Sequence, residues 1–182
     1  GSIMCTPEDT KIIDPEFAFY GPMGFDIGAL LANLLISFFS QNGHEIQKGD
    51  RSKYKLWILN TINKVWNDFE KKFLILWQEN QNGDAYSEKF FELSEKFKVE
   101  NERKIFLKKL FHDSIGFAAA KMIRRLFGFA HNIDLEWIKD EKVRAECENK
   151  CSALAIKMMV KASEYTSIES LTEDANKFNL DD

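Results

Sequence analysis

The chain has 182 residues, 45% of them hydrophobic, which is typical of one packed domain. Its formal charge of −4 comes from 25 basic residues scattered among 29 acidic ones, and this balance argues against a general nucleic-acid-binding protein. The longest uncharged stretch, Ile27 to Gly43, is shorter than the roughly 20 apolar residues that a bilayer-spanning helix needs. The sequence shows no secretory signal, and its 3 cysteines do not make a disulfide framework, which predicts a reduced cytosolic setting.

The first 24 residues form a turn-rich segment that precedes a helical body. All 3 prolines of the chain lie in it. Two short runs, Ile3–Cys5 and Lys11–Ile13, flank a polar turn and predict a β-hairpin. A Gly-Pro-Met-Gly loop over residues 21–24 then leads into a helix that is predicted to start near Phe25.

Two acids flank a proline directly after the second predicted strand. Pro15 cannot continue a strand or a helix, and it is expected to push Asp14 into an extended conformation. Because strand side chains alternate faces, Asp14 and Glu16 are predicted to point to the same side of the chain. Two hard oxygen ligands side by side suit Mg²⁺ bridging nucleotide phosphates, although the spacing alone also fits a solvated corner or a helix cap. Asp26, in the first turn of the next helix, either accepts backbone N–H groups there or braces a neighbouring loop.

Beyond Phe25, apolar residues recur at helical spacing and predict a mainly α fold. Further helices are predicted over roughly Arg51 to Asn80, Lys89–Phe97, Val99 to Phe111 with its continuation through His112 to Ala130, a segment starting at Asp134, and Arg144–Tyr165. Gln41–Asp50 is predicted to be an exposed connection. The aromatic stripe of the long second helix is most simply core, with an oligomer contact around Trp66 and Phe73 as a second possibility.

The last long helix carries two cysteines one turn apart, Cys147 and Cys151. They could hold half of a zinc site, but no second pair of ligands has matching spacing, so two small residues on a helix face are the simpler interpretation. The predicted core residues of this helix are Leu154, Ile156, Met158 and Met159.

Arg124 and Arg125 form the second polar feature of the sequence. Adjacent helical residues point about 100° apart, so the two guanidinium groups converge only if the helix end faces a cleft. An arginine fork suits phosphate and sugar hydroxyls, although an isolated pair is usually a surface feature. His131, a few residues later, fits a capping or core histidine and is given no role.

Two runs of the sequence resemble one enzyme family. Residues 12–35, IIDPEFAFYGPMGFDIGALLANLL, closely resemble the C-terminal lobe of methylthioribose kinases, and residues 119–131, AAKMIRRLFGFAH, resemble that family's second hallmark. The family is similar to aminoglycoside phosphotransferases and, more distantly, to protein kinases, but it carries an Asp-x-Glu metal motif. The opening Gly1-Ser2-Ile3-Met4 also matches the end of its catalytic loop.

The resemblance implies a domain organisation. Residues 1–182 would form a single helical lobe of a protein-kinase-like fold with a short β-hairpin. It would comprise a metal-binding hairpin and loop over 1–24, a helical body over 25–171 and a frayed acidic tail over 172–182. An N-terminal nucleotide-binding lobe and the catalytic aspartate are expected upstream of Gly1.

The resemblance also implies roles for named residues. Asp14 and Glu16, with Ser2 completing the shell, would hold Mg²⁺ on the phosphates of ATP, and Asp26 would brace a loop. Arg124 and Arg125 would contact the thioribose hydroxyls and the developing phosphate. Lys121 does not qualify as the nucleotide-binding lysine, which the family places on a strand of the other lobe.

The implied activity is ATP-dependent phosphorylation of the 1-hydroxyl of S-methyl-5-thioribose in methionine salvage, by a cytoplasmic homodimer with no nucleic-acid or membrane partner. The chain on its own is expected to be inactive. A related sugar or aminoglycoside kinase is one alternative. A non-catalytic helical interaction module, with the aromatic stripe from Trp57 to Trp77 exposed, is another.

Overall fold

The computed structural model describes residues 2–14, 20–80 and 99–180, and within these ranges the chain is mainly helical. Its elements in order are β1 Ile3–Cys5, β2 Thr10–Ile12, α1 Gly24–Lys48, α2 Ser52–Glu79, α3 Val99–Phe127, α4 Ile133–Glu136, α5 Glu141–Lys161, a 3₁₀ turn Ala162–Glu164, and α6 Ile168–Leu180. The predicted mainly α fold with a hairpin near the N-terminus is confirmed. The helix predicted over Lys89–Phe97 lies outside the described residues.

Helix α1 is the centre of the core and packs against α2, α3, α4 and α5. Its fully buried side chains are large and apolar, and include Leu31, Leu35, Ile36, Phe38 and Phe39. By length and composition alone α1 could cross a membrane, yet 56% of its apolar window is buried inside the protein. Its hydrophobicity is therefore explained by its place between the other helices.

Small residues let α1 and α3 approach closely. A Cβ atom added at Gly28 would lie 2.6 Å from the carbonyl oxygen of Ser114 and 2.9 Å from the backbone nitrogen of Ala118. One turn earlier, a Cβ at Gly24 would lie 3.0 Å from the backbone nitrogen of Ser114. Because the contact advances along both helices together, α1 and α3 run in the same direction from this crossing.

The structure corrects the exposed connection predicted over Gln41–Asp50. Helix α1 continues to Lys48, and both Gln41 and His44 are buried. Their polar atoms are satisfied inside the fold, since the Gln41 amide donates to the Ser37 carbonyl at 2.7 Å and His44 Nε2 lies 2.9 Å from the Asp134 carbonyl oxygen. The helix ends only at Gly49, which adopts a left-handed φ of 72°.

The aromatic stripe of α2 is core at its centre. Trp66 is only 4% exposed, and its ring centroid lies 4.7 Å from that of Phe111 on α3. Phe69 and Phe73 are partly buried against the same cluster. Trp57, at the start of the stripe, is 55% exposed and stacks on Tyr54, so the stripe leaves the core there.

Three helix boundaries and two core assignments differ from the sequence-based expectation. Helix α3 ends at Phe127 rather than near Ala130, and α5 covers Glu141–Lys161 rather than Arg144–Tyr165. Helix α5 begins at Glu141 because the Asp140 carboxylate accepts from the backbone N–H of Lys142. Leu154 and Met158 are buried as predicted, whereas Ile156 and Met159 are exposed. The buried face of α5 instead follows helical spacing from the two cysteines: Cys147, Cys151, Leu154 and Met158.

The structure also corrects the frayed tail expected over residues 172–182. Helix α6 covers Ile168–Leu180, and residues 181–182 lie outside the described part of the chain. The helix holds because it buries Leu171 and Ala175 and because the Asp174 carboxylate, 13% exposed, pairs with Lys157 of α5 at 2.5 Å. Most of the predicted tail is therefore part of an amphipathic helix, despite its acidic composition.

Candidate active site

Two of the three predicted metal ligands lie at the open end of the hairpin. The strands pair antiparallel with Ile3 opposite Ile12, and beyond them the backbone N–H of Ile13 donates to the Ser2 carbonyl at 2.9 Å. Asp14 is the next residue, so Ser2 and Asp14 stand at the same end of the hairpin. Both are exposed and open to a ligand.

Asp14 does not have the extended conformation that the following proline was expected to impose. Strand β2 ends at Ile12, and Asp14 has a φ of 63°, in the left-handed region. It is the only non-glycine residue with positive φ in the described part of the chain. Asp tolerates this region better than most residues, and such a conformation is more often found at functional positions than elsewhere. The prediction that Pro15 holds Asp14 in an extended conformation is therefore wrong.

The third predicted metal ligand, Glu16, lies outside the described residues, as do Gly1 and Pro15. The described ranges contain no group of three or more His, Cys, Asp or Glu side chains that could hold a metal ion by themselves. What they contain is a hydroxyl and a carboxylate at one hairpin end, Ser2 and Asp14. These are oxygen donors of the class that Mg²⁺ prefers, so the donor set fits that ion.

Asp26 lies in the first turn of α1, as predicted, and its side chain is exposed. Met23 occupies the N-cap position of the helix, and its side chain makes no capping hydrogen bond. No hydrogen bond or ion pair joins Asp26 to another described residue, so its role as a loop brace stays a prediction.

The predicted arginine pair lies in the last turn of α3, where cations are favoured by the helix dipole. Arg124 is exposed, and Arg125 is half-buried and donates from Nη1 to the Ala130 carbonyl at 2.9 Å. That bond closes the turn after the helix and leaves the rest of the Arg125 guanidinium free to bind a ligand. Within the described ranges, neither arginine forms an ion pair with a carboxylate.

Lys121 stands one turn before the pair and is half-buried. Burial lowers the pKa of Lys121, and the positive charges of Arg125 and Arg124 lower it further. The side chain is thus close enough to both arginines to feel their charge. Sequence reasoning gave Lys121 no role, although its i, i+3 and i, i+4 spacing to the pair was a usable signal.

A polar pocket of about 310 Å³ opens beside the end of α3. Its polar lining comes from α3, α4, α5 and the loop between α3 and α4: Arg125, His131, Asn132, Glu136, Arg144 and Glu148. The volume and the many hydrogen-bonding groups suit a small polyol. His131 lines the pocket from the loop directly after α3, although the sequence pattern gave it no role. Arg144 could not be predicted as a lining residue, because only the packing of α5 beside α3 brings it near Arg125.

The structure shows no hydrogen bond or ion pair between the hairpin and the arginine pair among the described residues. Helix α1 is the physical link between them, since its first turn follows the hairpin loop and packs on α3. Phe25 of α1 contacts Phe117 of α3 edge to face, with ring centroids 5.6 Å apart. Arg124 lies 7 residues beyond Phe117 on α3, which is about 10 Å along the helix axis.

Comparison with known proteins shows that the chain is similar to methylthioribose kinases. The chain is 46% identical over 182 residues to methylthioribose kinase 2 of Oryza sativa subsp. japonica. It is 37% identical over 175 residues to methylthioribose kinase of Escherichia coli O45:K1 (strain S88 / ExPEC), and 35% identical over 169 residues to that of Bacillus cereus (strain AH820). These alignments cover 99%, 96% and 93% of this chain.

The chain spans about 42% of the length of the first two relatives and 38% of the third. No protein-family model matches the chain. The resemblance to methylthioribose kinases is nevertheless confirmed, and it extends over nearly the whole chain rather than over the two quoted runs alone.

Proposed function

We propose that this chain is the helical lobe of an ATP-dependent kinase that phosphorylates the 1-hydroxyl of S-methyl-5-thioribose, giving S-methyl-5-thioribose 1-phosphate in methionine salvage. The observation that carries the proposal is 46% identity to a methylthioribose kinase over 99% of this chain. Phosphoryl transfer of this kind depends on positioning and charge neutralisation rather than on covalent chemistry by the protein. The hairpin end and the end of α3 would supply this positioning and this charge neutralisation.

The hairpin end is the proposed metal side of the site. Asp14 and Ser2, which lie at the same end of the hairpin, would hold Mg²⁺ together with Glu16. Bound Mg²⁺ would neutralise charge on the ATP phosphates. The left-handed backbone at Asp14 supports this role, because it turns the chain out of the strand at the residue that must present its carboxylate.

The end of α3 is the proposed sugar side of the site. Arg124 and Arg125 would bind the hydroxyls of methylthioribose and orient the 1-hydroxyl toward the γ-phosphate. The absence of an ion pair at either arginine among the described residues supports the assignment, since both remain available to a ligand. Asp26, on the first turn of α1, would brace the loop between the two sides.

The catalytic base and the nucleotide-binding lobe are proposed to lie in a longer protein that contains this segment, and the segment alone is proposed to be inactive. Four apolar side chains of the hairpin region are exposed, which supports a cover supplied by other parts of such a protein: Ile3, Met4, Ile12 and Ile13. The enzyme is further proposed to be a cytoplasmic homodimer.

The test uses a full-length enzyme that contains this segment. ATP-dependent phosphorylation of methylthioribose is measured at several Mg²⁺ concentrations for the wild type, Asp14→Asn and Glu8→Gln. We expect Asp14→Asn to lower kcat by about 100-fold or more, because one metal ligand is lost. Glu8→Gln, an exposed change in the hairpin turn, should leave kcat unchanged. Undiminished activity of Asp14→Asn would refute the metal assignment.

Two alternatives make different predictions. A related sugar or aminoglycoside kinase would prefer another acceptor in a substrate panel, since an arginine pair and a polar pocket suit polyols generally. A non-catalytic interaction module would bind a partner chain through an exposed aromatic stripe. The burial of Trp66 disfavours that second alternative, and sedimentation of the wild type decides between monomer and dimer.

A further inference from the structure

The two arginines of α3 are not a sufficient binding group by themselves, because helical geometry separates them. On a helix with about 100° per residue, Arg124 lies about 60° to one side of Lys121 and Arg125 about 40° to the other. Lys121 therefore occupies the gap between the directions of the two guanidinium groups, one turn closer to the start of the helix. An anion that contacts both arginines would therefore lie close to Lys121.

Lys121 is also the cation of this group nearest to the contact between α3 and the first turn of α1. Phe117, one turn before it on nearly the same face, contacts Phe25 in the first turn of α1. The order along this face of α3 is thus the packing site of α1, then Lys121, then the arginine pair. Successive steps are about 6 Å apart along the axis.

No described carboxylate neutralises the positive charges of this group. The chain has 29 acidic and 25 basic residues, yet Lys121, Arg124 and Arg125 form no ion pair with a described carboxylate. Like charges at this helical spacing repel each other. Lys121 is half-buried as well, which adds a desolvation cost to the repulsion. A bound anion would offset both.

We infer that Lys121 binds the phosphoryl group during its transfer, between the metal held at the hairpin and the sugar held by Arg124 and Arg125. The inference rests on the proposed kinase function and assigns a residue to the phosphate rather than to the sugar. A lysine can fill this place because its ammonium is a compact point charge with three donors, which can bind phosphoryl oxygens. Lys121 takes no proton and forms no bond to phosphorus. It stabilises negative charge on the oxygens of the phosphoryl group during the transfer.

The experiment compares Lys121→Met, Lys121→Arg and Lys108→Met in a full-length enzyme that contains this segment. Lys108 is an exposed lysine of the same helix, far from the pair, and serves as the matched control. For each variant, kcat and the KM values for methylthioribose and ATP are measured together with the melting temperature.

We expect Lys121→Met to lower kcat by about 10- to 100-fold, with little change in the KM for methylthioribose, because the lost interaction forms mainly in the transition state. Lys121→Arg should recover most of the loss, and Lys108→Met should match the wild type. The melting temperature of Lys121→Met should not fall, since removing one of three like charges relieves repulsion.

Three results would overturn the inference. Wild-type kcat in Lys121→Met would show that the ammonium does not act in transfer. Equal losses in Lys121→Met and Lys121→Arg, or a loss that follows a lower melting temperature, would make the position structural. A wild type that does not phosphorylate methylthioribose would instead refute the proposed function, and the inference with it, which distinguishes the two failures.

Discussion

The hairpin and the helical body are held together in different ways. Residues 2–14 are all exposed, and the hydrogen bonds that the structure gives them run within the hairpin. Three of these bonds join Thr6 and Asp9: the Thr6 backbone N–H and hydroxyl donate to the Asp9 carbonyl, and the Asp9 N–H donates to the Thr6 hydroxyl oxygen. The helical body is held by buried side chains, with α1 at the centre. The last turn of α3 resembles the hairpin in this respect, because Arg124 is exposed although the helix that carries it is core.

This difference separates positions that should control stability from positions that should control activity. Burial of apolar area stabilises the helices, and a change there alters the free energy of unfolding. The exposed polar groups of the hairpin and of the α3 end contribute little to that free energy and are free to bind ligands. Four substitutions, from the largest expected effect on unfolding to the smallest, test the separation.

Trp66→Ala should lower the free energy of unfolding by about 3–5 kcal/mol, because it leaves a cavity between α2 and α3. Trp66 is 4% exposed and packs on Phe111. Trp57→Ala is the matched control, since Trp57 lies on the same helix but is 55% exposed, and it should cost less than about 1 kcal/mol. Denaturant titration measures both, and equal losses would contradict the assignment of Trp66 to the core.

Gly28→Ala should cost about 1–3 kcal/mol by forcing α1 away from α3. The added methyl group would meet the Ser114 carbonyl oxygen at 2.6 Å, and a backbone atom cannot move aside as a flexible side chain can. Gly116→Ala, on α3 with nothing within 4 Å of the new Cβ, should instead stabilise the chain by about 0.5–1 kcal/mol through helix propensity. The melting temperatures of the two variants should shift in opposite directions. Shifts in the same direction would contradict the close approach of α1 and α3 at Gly28.

The ion pair between α5 and α6 predicts a pH dependence. Burial alone would raise the pKa of Asp174, but the hydrogen bond from Lys157 and the charges of Lys157 and Lys177 outweigh burial and lower it. The stabilisation from an acid with a lowered pKa is present above its unfolded value, 3.8, and is lost as pH falls through the lower folded value.

Asp174→Asn should therefore cost about 1–2 kcal/mol at neutral pH and flatten the loss of stability below about pH 4. The measurement is the free energy of unfolding between pH 3 and pH 7. Asp68→Asn is the control, because Asp68 also pairs with a lysine but on the surface of one helix, where such pairs contribute less than about 1 kcal/mol. If the free energy of unfolding of Asp174→Asn fell as steeply with decreasing pH as that of the wild type, the role of this pair in docking α6 would be contradicted.

Arg124→Ala should change the free energy of unfolding by less than about 0.5 kcal/mol, because the side chain is exposed and forms no ion pair with a described residue. In a full-length enzyme the same change should lower kcat/KM for methylthioribose by about tenfold or more, through lost contacts to the sugar. A large loss of stability with unchanged kcat/KM would show that Arg124 controls stability rather than activity.

The sequence was a good guide where local rules decide the outcome. Helical periodicity predicted α2 to within one residue at each end, and two short apolar runs around a proline turn predicted the hairpin. It was a poor guide where polar residues are buried. Gln41 and His44 looked like part of an exposed connection, because nothing in the sequence shows that the carbonyl of the distant Asp134 lies beside His44.

The candidate site shows the same division. The residue types of Asp14, Ser2, Arg124 and Arg125 could be read directly, together with the chemistry that they suit. Their placement could not be read. The left-handed φ of 63° at Asp14 and the half-burial of Lys121 depend on how the segments around them fold and pack.

What the amino-acid order determined by itself is the set of helices, the hairpin and the two groups of charged residues, because these follow from side-chain periodicity and turn chemistry within a few residues. What only the tertiary structure decided is which faces are buried, that the α6 segment is docked rather than loose, and that Lys121 is half-buried on the helix that packs against α1. These depend on contacts between residues far apart in the chain, whose partners local pattern does not specify.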